Sequence, residues 1–494
     1  MKISILIGGK AGQGPNILSQ LVGEALVSHG YHVFYTRDYQ SLIRGGHNFN
    51  TLTFSDEKVA SNEGMVDILV CLDEKMGGIH KKDLKKTASI LDGAHDNMYH
   101  AGGLFKILGL DFHLLEERLK KLKNYDENLK HAKQGYEENK DVFGLKPGKI
   151  KRDFMNGSQG VCRGAIKSGM DLYYAYPMTP ATPLLFELAP KQHENNFVVL
   201  EMESEISVIN AALGSSATGA KTMIGTSGGG FDLMTESLSM AGQAEITLVV
   251  YLAQRPGPGT GVATYTSQGD LKVALNSGHG EFQRIVLAPG DPKECEEKVS
   301  EAFYFSQKFK IPTIVLSDKH LAESFQTLER PPKITKSEKS TKLIRYNSYE
   351  HTLTGESTED AREISRGFES RAKKQKEINK EAEKFEMFKV HGKKTSKNIV
   401  IGWGSTKGAI LDSIQGLDVK FLQILYLEPF AKIEKEIEKA KKIIVIENNA
   451  TSPLSDLIRE KTGIKIEEKN KILRYDGRPF LSDELNLEIK KRLK

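Results

Sequence analysis

The chain has 494 residues, which is too long for one hydrophobic core and predicts two to four domains. Its 39% hydrophobic and 27% charged residues are ordinary for a folded protein and exclude a chain that is disordered throughout. The formal charge of +5 arises from 70 basic and 65 acidic residues, so it gives no reason to expect nucleic-acid or membrane-surface binding.

The first predicted domain covers residues 1–150. An apolar strand at residues 3–7 leads through the glycine-rich loop GGKAGQG into a helix at residues 17–27. Strands and helices continue to alternate, which predicts a doubly wound α/β sheet. The remaining predicted elements are strands at residues 32–35 and 66–72, a charged helical stretch at residues 106–140 and a linker at residues 144–148.

Two loops of this domain contain several glycines. The GGKAGQG loop either presents backbone amides to an anion or is a turn needed only for packing, and the sequence leaves both hypotheses open. It does not match a dinucleotide fingerprint, because Ile17 stands where the third glycine is expected. The second loop is predicted to contact another subunit, and it contains Arg44, Gly45, Gly46, His47, Asn48 and Asn50.

The cysteines indicate neither a metal centre nor a disulfide framework. Cys71, Cys162 and Cys295 are far apart, and no C-x-x-C pair is present. We therefore expect no metal site on this chain. A membrane span needs about 20 consecutive apolar residues, and no stretch of the sequence is that long. The first residues also lack the pattern of a signal peptide. We expect no membrane anchor and a cytoplasmic location.

A second α/β domain is predicted for residues 151–325. Six buried-strand patterns alternate with helical stretches and predict one parallel sheet. They lie at residues 172–176, 197–200, 222–226, 247–252, 284–288 and 313–317. Residues 326–395 lose the apolar pattern and are predicted to form a charged linker, part loop and part solvated helix. Residues 396–494 are predicted to form a third, smaller α/β domain with strands at 398–403, 420–424 and 442–447.

Four irregular segments follow strands of the second domain, where ligands of such folds bind. The first is Tyr176-Pro177-Met178-Thr179-Pro180, in which the prolines restrain the loop around the Thr179 hydroxyl. The second contains Glu205 directly before a predicted apolar helix at residues 206–213, and its carboxylate is expected to be partly buried. Nearby Glu201 and Glu203 are expected only to complement the helix dipole.

The other two segments supply backbone amides and a cation. Gly228, Gly229 and Gly230 are costly to order, which favours close approach of a ligand or of neighbouring backbone. Arg255 begins a loop rich in proline and glycine, and its guanidinium suits a carboxylate or a phosphate. Each segment alone is also compatible with a structural turn or an exposed side chain. Together they predict a pocket for an anionic organic ligand.

These segments resemble the α subunit of the 2-oxoacid:ferredoxin oxidoreductases, and most closely the 2-oxoglutarate-type branch with a γ-type domain fused in front. The resemblance covers nearly the whole chain and implies a γ-type domain, a thiamine-diphosphate pyrimidine-binding domain and a transketolase-C-terminal-like domain. It rests on these strings: GGKAGQG, IRGGHNFN, YPMTP, EMESEISVINAALG, TSGGGFDLMTE, QRPGPGTG, GHGEFQRIVLAPG, YEHTLTGESTED, GWGSTKGAI, VIENNATSPL and RYDGRPF.

The resemblance also implies roles for the candidate residues. Glu205 is similar to the glutamate that hydrogen-bonds the aminopyrimidine of thiamine diphosphate and is the expected catalytic residue. Thr179 and Arg255 are expected to bind the substrate. The cofactor is expected to contact Glu205 and the loop residues Tyr176, Pro177 and Met178.

Three departures from the family pattern affect the expected specificity. Ala181 and Thr182 follow Pro180 where a serine is common, and Gly259 stands where serine is frequent. The segment Gly-Ser-Gln-Gly at residues 157–160 replaces a more usual Gly-Asn-Glu-Ala. We expect these changes to leave fold and cofactor intact and to bear on side-chain specificity.

A partner subunit is implied because the G-D-G and downstream Asn that hold Mg²⁺ and the diphosphate are not evident here. We expect a β subunit to supply Mg²⁺, the diphosphate site and a 4Fe–4S cluster, in an αβ or (αβ)2 assembly. The implied reaction is coenzyme A-dependent oxidative decarboxylation of a 2-oxoacid, most closely 2-oxoglutarate to succinyl-CoA, with ferredoxin as electron acceptor.

Three alternatives remain open. The substrate of the same reaction can be pyruvate, a branched-chain or an aryl 2-oxoacid. A non-catalytic assembly protein can retain the fold, although it has no need of Glu205, Thr179 and Arg255 together. A nicotinamide-dependent dehydrogenase is disfavoured by the missing third glycine of the first loop.

Overall fold

The computed structural model describes residues 1–40, 46–93, 95–148, 152–329, 331–340 and 347–494. The chain divides into two compact units. The first unit contains Met1–Met155, Ser324–Arg330 and Leu481–Leu487. The second contains Asn156–Glu323, Pro331–Phe480 and Glu488–Lys494. The second unit therefore holds the greater parts of both the second and the third predicted domain, and the three domain boundaries stay a prediction.

The strands and helices alternate along most of the chain. Up to residue 155 the elements are β1 (Lys2–Lys10), α1 (Pro15–Ser28), β2 (His32–Asp38), β3 (His47–Ser55), β4 (Val66–Cys71), α2 (Met76–His80), β5 (Leu84–Leu91), α3 (Asn97–Leu108), α4 (Phe112–Leu119), α5 (Tyr125–Glu138) and β6 (Asp153–Met155). From residue 156 to 329 they are α6 (Gly157–Lys167), β7 (Leu172–Ala175), α7 (Thr182–Leu188), β8 (Val198–Glu201), α8 (Glu205–Ala217), β9 (Thr222–Thr226), α9 (Gly228–Leu233), α10 (Thr235–Ala244), β10 (Leu248–Gln254), α11 (Leu271–Asn276), β11 (Ile285–Leu287), α12 (Pro292–Phe309), β12 (Pro312–Asp318), α13 (Lys319–Glu323) and β13 (Phe325–Leu328).

The last part of the chain adds a smaller set. Its elements are α14 (Ala361–Ala382), β14 (Phe388–Gly392), β15 (Asn398–Trp403), α15 (Thr406–Ser413), β16 (Lys420–Ile424), β17 (Tyr426–Glu428), α16 (Glu434–Ile437), β18 (Lys442–Glu447), α17 (Pro453–Thr462), β19 (Lys471–Leu473) and α18 (Ser482–Leu493). None of the helices described is long and apolar enough to cross a lipid bilayer.

The sheet of the first unit has the order β5-β4-β1-β3-β2-β13-β6. The α/β class is confirmed, but the sheet is mixed. Strands β1, β4 and β5 are parallel, whereas β1 pairs with β3, and β3 with β2, in antiparallel register. The apolar side chains Ile3, Ile5 and Ile7 are buried in its core, as the predicted strand requires.

Three predictions for the first unit are corrected. The GGKAGQG segment is not all loop, because β1 continues to Lys10 and a Cβ at Gly8 would overlap the Met76 side chain. His47 to Asn50 lie in strand β3 rather than in a loop, while Arg44 and Gly45 fall outside the described residues. The segment at 144–148 is packed and not a free linker, since Leu145 is buried and the Gly148 amide donates to the His29 carbonyl at 2.6 Å.

The second unit contains the predicted six-stranded parallel sheet. Its order is β17-β11-β12-β10-β9-β7-β8, and only the pairing of β17 with β11 is antiparallel among the described strands. Strands β9, β10 and β12 are buried along their whole length, which explains their unbroken apolar sequences. All six predicted strands are present, but the predicted burial is wrong for β8, which lies at the edge of the sheet and is largely exposed.

A five-stranded sheet, β14-β16-β15-β18-β19, completes the second unit. Part of the predicted linker is packed rather than solvated. Helix α14 buries Ile378 and Ala382 in the core of this unit, and strand β14 pairs with β16. The charged residues of α14 indicated a solvated helix. Most of them are exposed, but Arg371 and Glu381 are buried on the same helix as Ile378 and Ala382.

Candidate active site

The carboxyl ends of four parallel strands meet at one edge of the larger sheet in the second unit. In the register of this sheet, Ala175 of β7 lies beside Glu201 of β8 and beside Gly225 of β9, and Leu252 of β10 lies beside Thr226 of β9. The four segments singled out in the sequence follow these strands directly. The sheet therefore places them side by side, as strand order in a doubly wound fold predicts.

Arg255 and Thr179 are in direct contact. The Arg255 Nη1 donates to the Thr179 carbonyl at 2.8 Å, across 76 positions of sequence. The loop carrying Thr179 is closed by the Ala181 amide, which donates to the Met178 carbonyl at 2.8 Å. Burial lowers the pKa of Arg255 and Asp270 opposes that shift, but a guanidinium stays charged at neutral pH. One donor of Arg255 is thus used to orient the side chain.

Glu205 is buried at the start of helix α8. The Ser204 hydroxyl caps this helix by accepting from the Ser207 amide at 3.2 Å, which sets the side chain of the first helical residue. The Glu205 side chain is 4% exposed, whereas Glu201 and Glu203 are exposed as expected. None of the hydrogen bonds in the described part of the chain reaches the Glu205 carboxylate. The Glu205 carboxylate is therefore available to a polar group from outside the chain.

The three glycines of α9 have different surroundings. A Cβ on Gly230 would lie 2.7 Å from Glu205 Oε1 and 2.8 Å from its Cγ, so Glu205 packs where a side chain would otherwise be. A Cβ on Gly228 would lie 2.6 Å from Asp270 Oδ2. Gly229 faces open space, with the Gly259 carbonyl 3.9 Å away as its nearest neighbour. Close approach therefore explains Gly228 and Gly230, but the approaching groups are side chains and not the ligand or backbone that was predicted, while Gly229 lines an accessible surface.

The remaining residues of the predicted cofactor loop lie nearer to solvent. Tyr176 and Pro177 are exposed and Met178 is half-buried. Next to the glycines, the Ser227 hydroxyl is buried and has no hydrogen-bond partner within the described ranges. The roles of Tyr176, Pro177 and Met178 in cofactor binding stay a prediction.

Asp270 is a site residue that the sequence did not indicate. Burial, with Asp232 adding to it and Arg255 opposing it, raises the pKa of Asp270 to about 6. An acid directly before the short helix α11 looks like an ordinary helix start, so its sequence carries no sign of this environment. Only the tertiary structure brings it near Arg255: the Asp270 amide donates to Gln254 Oε1 at the end of β10 at 2.9 Å.

Two family models match the chain. The model of the pyruvate ferredoxin/flavodoxin oxidoreductase matches residues 4–96. A second model, the thiamine-diphosphate-binding part of pyruvate flavodoxin/ferredoxin oxidoreductase, matches residues 163–397 and includes Glu205 and Arg255. The 2-oxoglutarate synthase subunit KorA of Methanocaldococcus jannaschii is 31% identical, over 61% of this chain and 89% of that protein. The chain belongs to the 2-oxoacid:ferredoxin oxidoreductase family.

Relatives that span the full length agree with this membership. The 2-oxoacid:ferredoxin oxidoreductase subunit alpha of a Sulfolobus species is 29% identical, over 100% of this chain and 97% of that protein. A solved structure, the 2-oxoglutarate:ferredoxin oxidoreductase from Magnetococcus marinus, matches with a TM-score of 0.89 and 25% identity over 100% of both chains. The predicted family, the α/β class and the assignment as an oxidoreductase are confirmed.

Proposed function

We propose that this chain is the α subunit of an enzyme that oxidatively decarboxylates 2-oxoglutarate to succinyl-CoA with thiamine diphosphate and coenzyme A. Electrons would pass to ferredoxin through a β subunit. The observation that carries the proposal is the buried Glu205 carboxylate, which has no hydrogen-bond partner in the described part of the chain and lies at the same sheet edge as Arg255.

The residues at the sheet edge fit the aminopyrimidine end of thiamine diphosphate. When bound, this cofactor would supply a nucleophilic carbon for addition to the carbonyl carbon of a 2-oxoacid. Glu205 would share a proton with the pyrimidine ring nitrogen, which gives its buried carboxylate the partner it needs. Gly230 leaves room for the Glu205 side chain, and the Ser227 hydroxyl offers a second polar contact. We propose Tyr176, Pro177 and Met178 as the loop against which the ring packs.

Arg255 and Thr179 are proposed to bind the substrate. Arg255 Nη1 donates a hydrogen bond to the Thr179 carbonyl, so the other N–H groups of the guanidinium are available to the substrate carboxylate. A charge-assisted hydrogen bond of this kind contributes about 1.5–3 kcal/mol. The choice of 2-oxoglutarate follows two similar proteins, the KorA subunit above and the Magnetococcus marinus enzyme, whose structure contains 2-oxoglutarate, coenzyme A and succinyl-CoA. Other relatives are named only for 2-oxoacids.

Exposed apolar side chains around the site support a partner subunit. They lie on the edge strand β8 and on the loop and helices beside the site, and between 39% and 53% of each is exposed: Tyr176, Leu200, Ile206 and Leu233. Apolar groups gathered around a site mark protein–protein contacts. We propose that the β subunit covers them, supplies Mg²⁺, the diphosphate site and a 4Fe–4S cluster, and assembles as αβ or (αβ)2.

Co-expression with the β subunit tests the proposal. The complex is assayed for 2-oxoglutarate-dependent reduction of a viologen dye with coenzyme A and thiamine diphosphate. Glu205→Gln is expected to lower kcat by about 10²- to 10⁴-fold, the range for a lost acid–base group. Glu203→Gln is the matched control, because Glu203 is exposed two positions away, and it is expected to keep near-wild-type activity.

The outcomes separate the alternatives. Full activity of Glu205→Gln contradicts the proposed cofactor role. Turnover of pyruvate, branched-chain or aryl 2-oxoacids without 2-oxoglutarate keeps the reaction and changes the substrate. A well-formed complex that is loaded with cofactor and turns over no 2-oxoacid favours the non-catalytic assembly protein.

A further inference from the structure

Asp270 lies close enough to Arg255 for the two charges to interact, and its backbone is hydrogen-bonded to the end of β10. Its backbone amide donates to Gln254 Oε1 at 2.9 Å, and Gln254 Nε2 donates to the Ser317 carbonyl of the neighbouring strand at 2.9 Å. Gln254 is fully buried and directly precedes Arg255 in the chain. These bonds attach the start of α11 to the end of β10, so the backbone of Asp270 is tied to the strand that leads into Arg255.

The carboxyl group of Asp270 is enclosed on one side. Its Oδ2 is inaccessible to solvent and has no hydrogen-bond partner among the described residues. The glycine at 228 leaves it room, since a Cβ there would lie 2.6 Å from this oxygen. Two charged groups face it: exposed Asp232, which disfavours its ionised form, and Arg255, which favours it. Within the described ranges no ion pair of 4 Å or less joins Asp270 to Arg255.

This geometry disfavours the ionised form of the Asp270 carboxyl group. An enclosed, unpaired oxygen destabilises the ionised form, and burial accordingly raises the pKa of Asp270 to about 6, with Asp232 adding to the shift and Arg255 opposing it. Asp270 is thus neutral at pH 5 and ionised at pH 8. Its charge changes within the range in which an enzyme of this kind can be assayed.

We propose that Asp270 is a positioning residue that sets how much of the Arg255 charge is available to the substrate carboxylate. When Asp270 is neutral, the guanidinium acts on the substrate alone. When Asp270 is ionised, it attracts the same guanidinium and repels the substrate anion. This inference rests on the proposed role of Arg255 in substrate binding. It predicts that binding of the 2-oxoacid weakens as Asp270 ionises, with little effect on the chemical step.

The test compares kcat and KM for 2-oxoglutarate between pH 5 and pH 8 in the complex with the β subunit. In the wild type, KM is expected to rise roughly three- to tenfold with pH, as expected for one added charge near the binding site. Asp270→Asn is expected to keep the low KM throughout, and Asp270→Ser is a second neutral replacement should the amide disturb packing. An unchanged KM profile in a folded neutral variant overturns the inference.

Asp232→Asn is the matched control, because it removes an equal charge from an exposed neighbour. It is expected to retain the rise in KM and to shift it to lower pH, since Asp232 raises the pKa of Asp270. Loss of the rise in this variant would assign the effect to general charge and not to Asp270, and would overturn the inference.

Infrared spectroscopy of the full chain supplies a readout that does not depend on activity. The protonated carboxyl absorption of the wild type is expected to include one group titrating near pH 6 that Asp270→Asn lacks. Identical spectra overturn the inference. A complex that turns over no 2-oxoacid contradicts the proposed function, and it thereby also contradicts the inference that Asp270 acts through Arg255. An active complex with an unchanged Asp270→Asn profile contradicts the inference alone.

Discussion

Replacing Lys407 by Met tests whether a buried charge cluster stabilises the second unit. The Glu294 carboxylate is completely buried on helix α12 and accepts from Lys407 Nζ at 2.5 Å, Lys389 Nζ at 2.8 Å and Gln423 Nε2 at 2.6 Å. Although burial opposes its charge, Lys407 and Lys389 hold the pKa of Glu294 far below its usual range. Lys407 also bonds to Asp291, the residue that caps α12.

The Lys407→Met variant leaves Glu294 buried with only one cation. Removing one partner of a buried pair typically costs about 3–5 kcal/mol, because the remaining charge loses its compensation. Since Lys389 and Gln423 stay in place, we expect a loss near the lower end, about 3 kcal/mol. Lys432→Met is the matched control: its partner Glu383 is half exposed, and an exposed pair contributes about 0–1 kcal/mol.

Unfolding in urea, followed by the fluorescence of the single tryptophan, measures the loss. Trp403 is completely buried in β15 and donates to Glu447 Oε2 at 3.2 Å, so its emission reports on this unit. The depressed pKa of Glu294 means that its contribution is present above the ordinary carboxyl pKa and is lost as pH falls. The difference between wild type and Lys407→Met should therefore shrink in acid. A loss no larger than that of Lys432→Met would refute the reasoning.

Two further substitutions test contacts at the site and in the former linker, each beside a neighbouring control. Gly230→Ala places a methyl group 2.7 Å from Glu205 Oε1. It should lower the activity of the complex by about 10²-fold, because small displacements of catalytic groups have effects of this size. The control Gly229→Ala meets open space and should leave the activity close to that of the wild type. Ile378 is buried, so Ile378→Ala should lower the free energy of unfolding in urea by about 2–5 kcal/mol. Its exposed neighbour is the control, and Glu377→Ala should lower it by less than about 0.5 kcal/mol. Equal effects of the two substitutions would contradict the packing of α14.

Much of the site was predictable because parallel strands share one edge. The six strands stand out as short apolar runs, and the loops after them must then lie together. Thr179 and Arg255 could be brought to one place on this argument alone. The burial of Glu205, in contrast to Glu203, follows from the apolar run that begins directly after Glu205. Local sequence thus sufficed wherever the period of the pattern and the order of strands determined the position.

Contacts between distant segments were not predictable. Strand β13 pairs with β2, which lies about 290 positions earlier in the chain, and no local pattern marks that pairing. Helix α14 has a sequence dominated by charge, and only the neighbouring core decides that Ile378 faces inward. The mixture of parallel and antiparallel pairs in the first sheet was not predictable for the same reason, because the direction of a strand relative to its neighbours depends on which strands pair in the folded chain.

The amino-acid sequence by itself determined the α/β class, the family and the candidate residues Glu205, Thr179 and Arg255. Only the tertiary structure decided that Asp270 lies beside Arg255, that Gly230 packs against Glu205 and that Glu294 has two cations around it. The physical reason is that periodicity and propensity act over a few residues. Desolvation and charge pairing depend instead on groups that folding brings together from far apart in the chain.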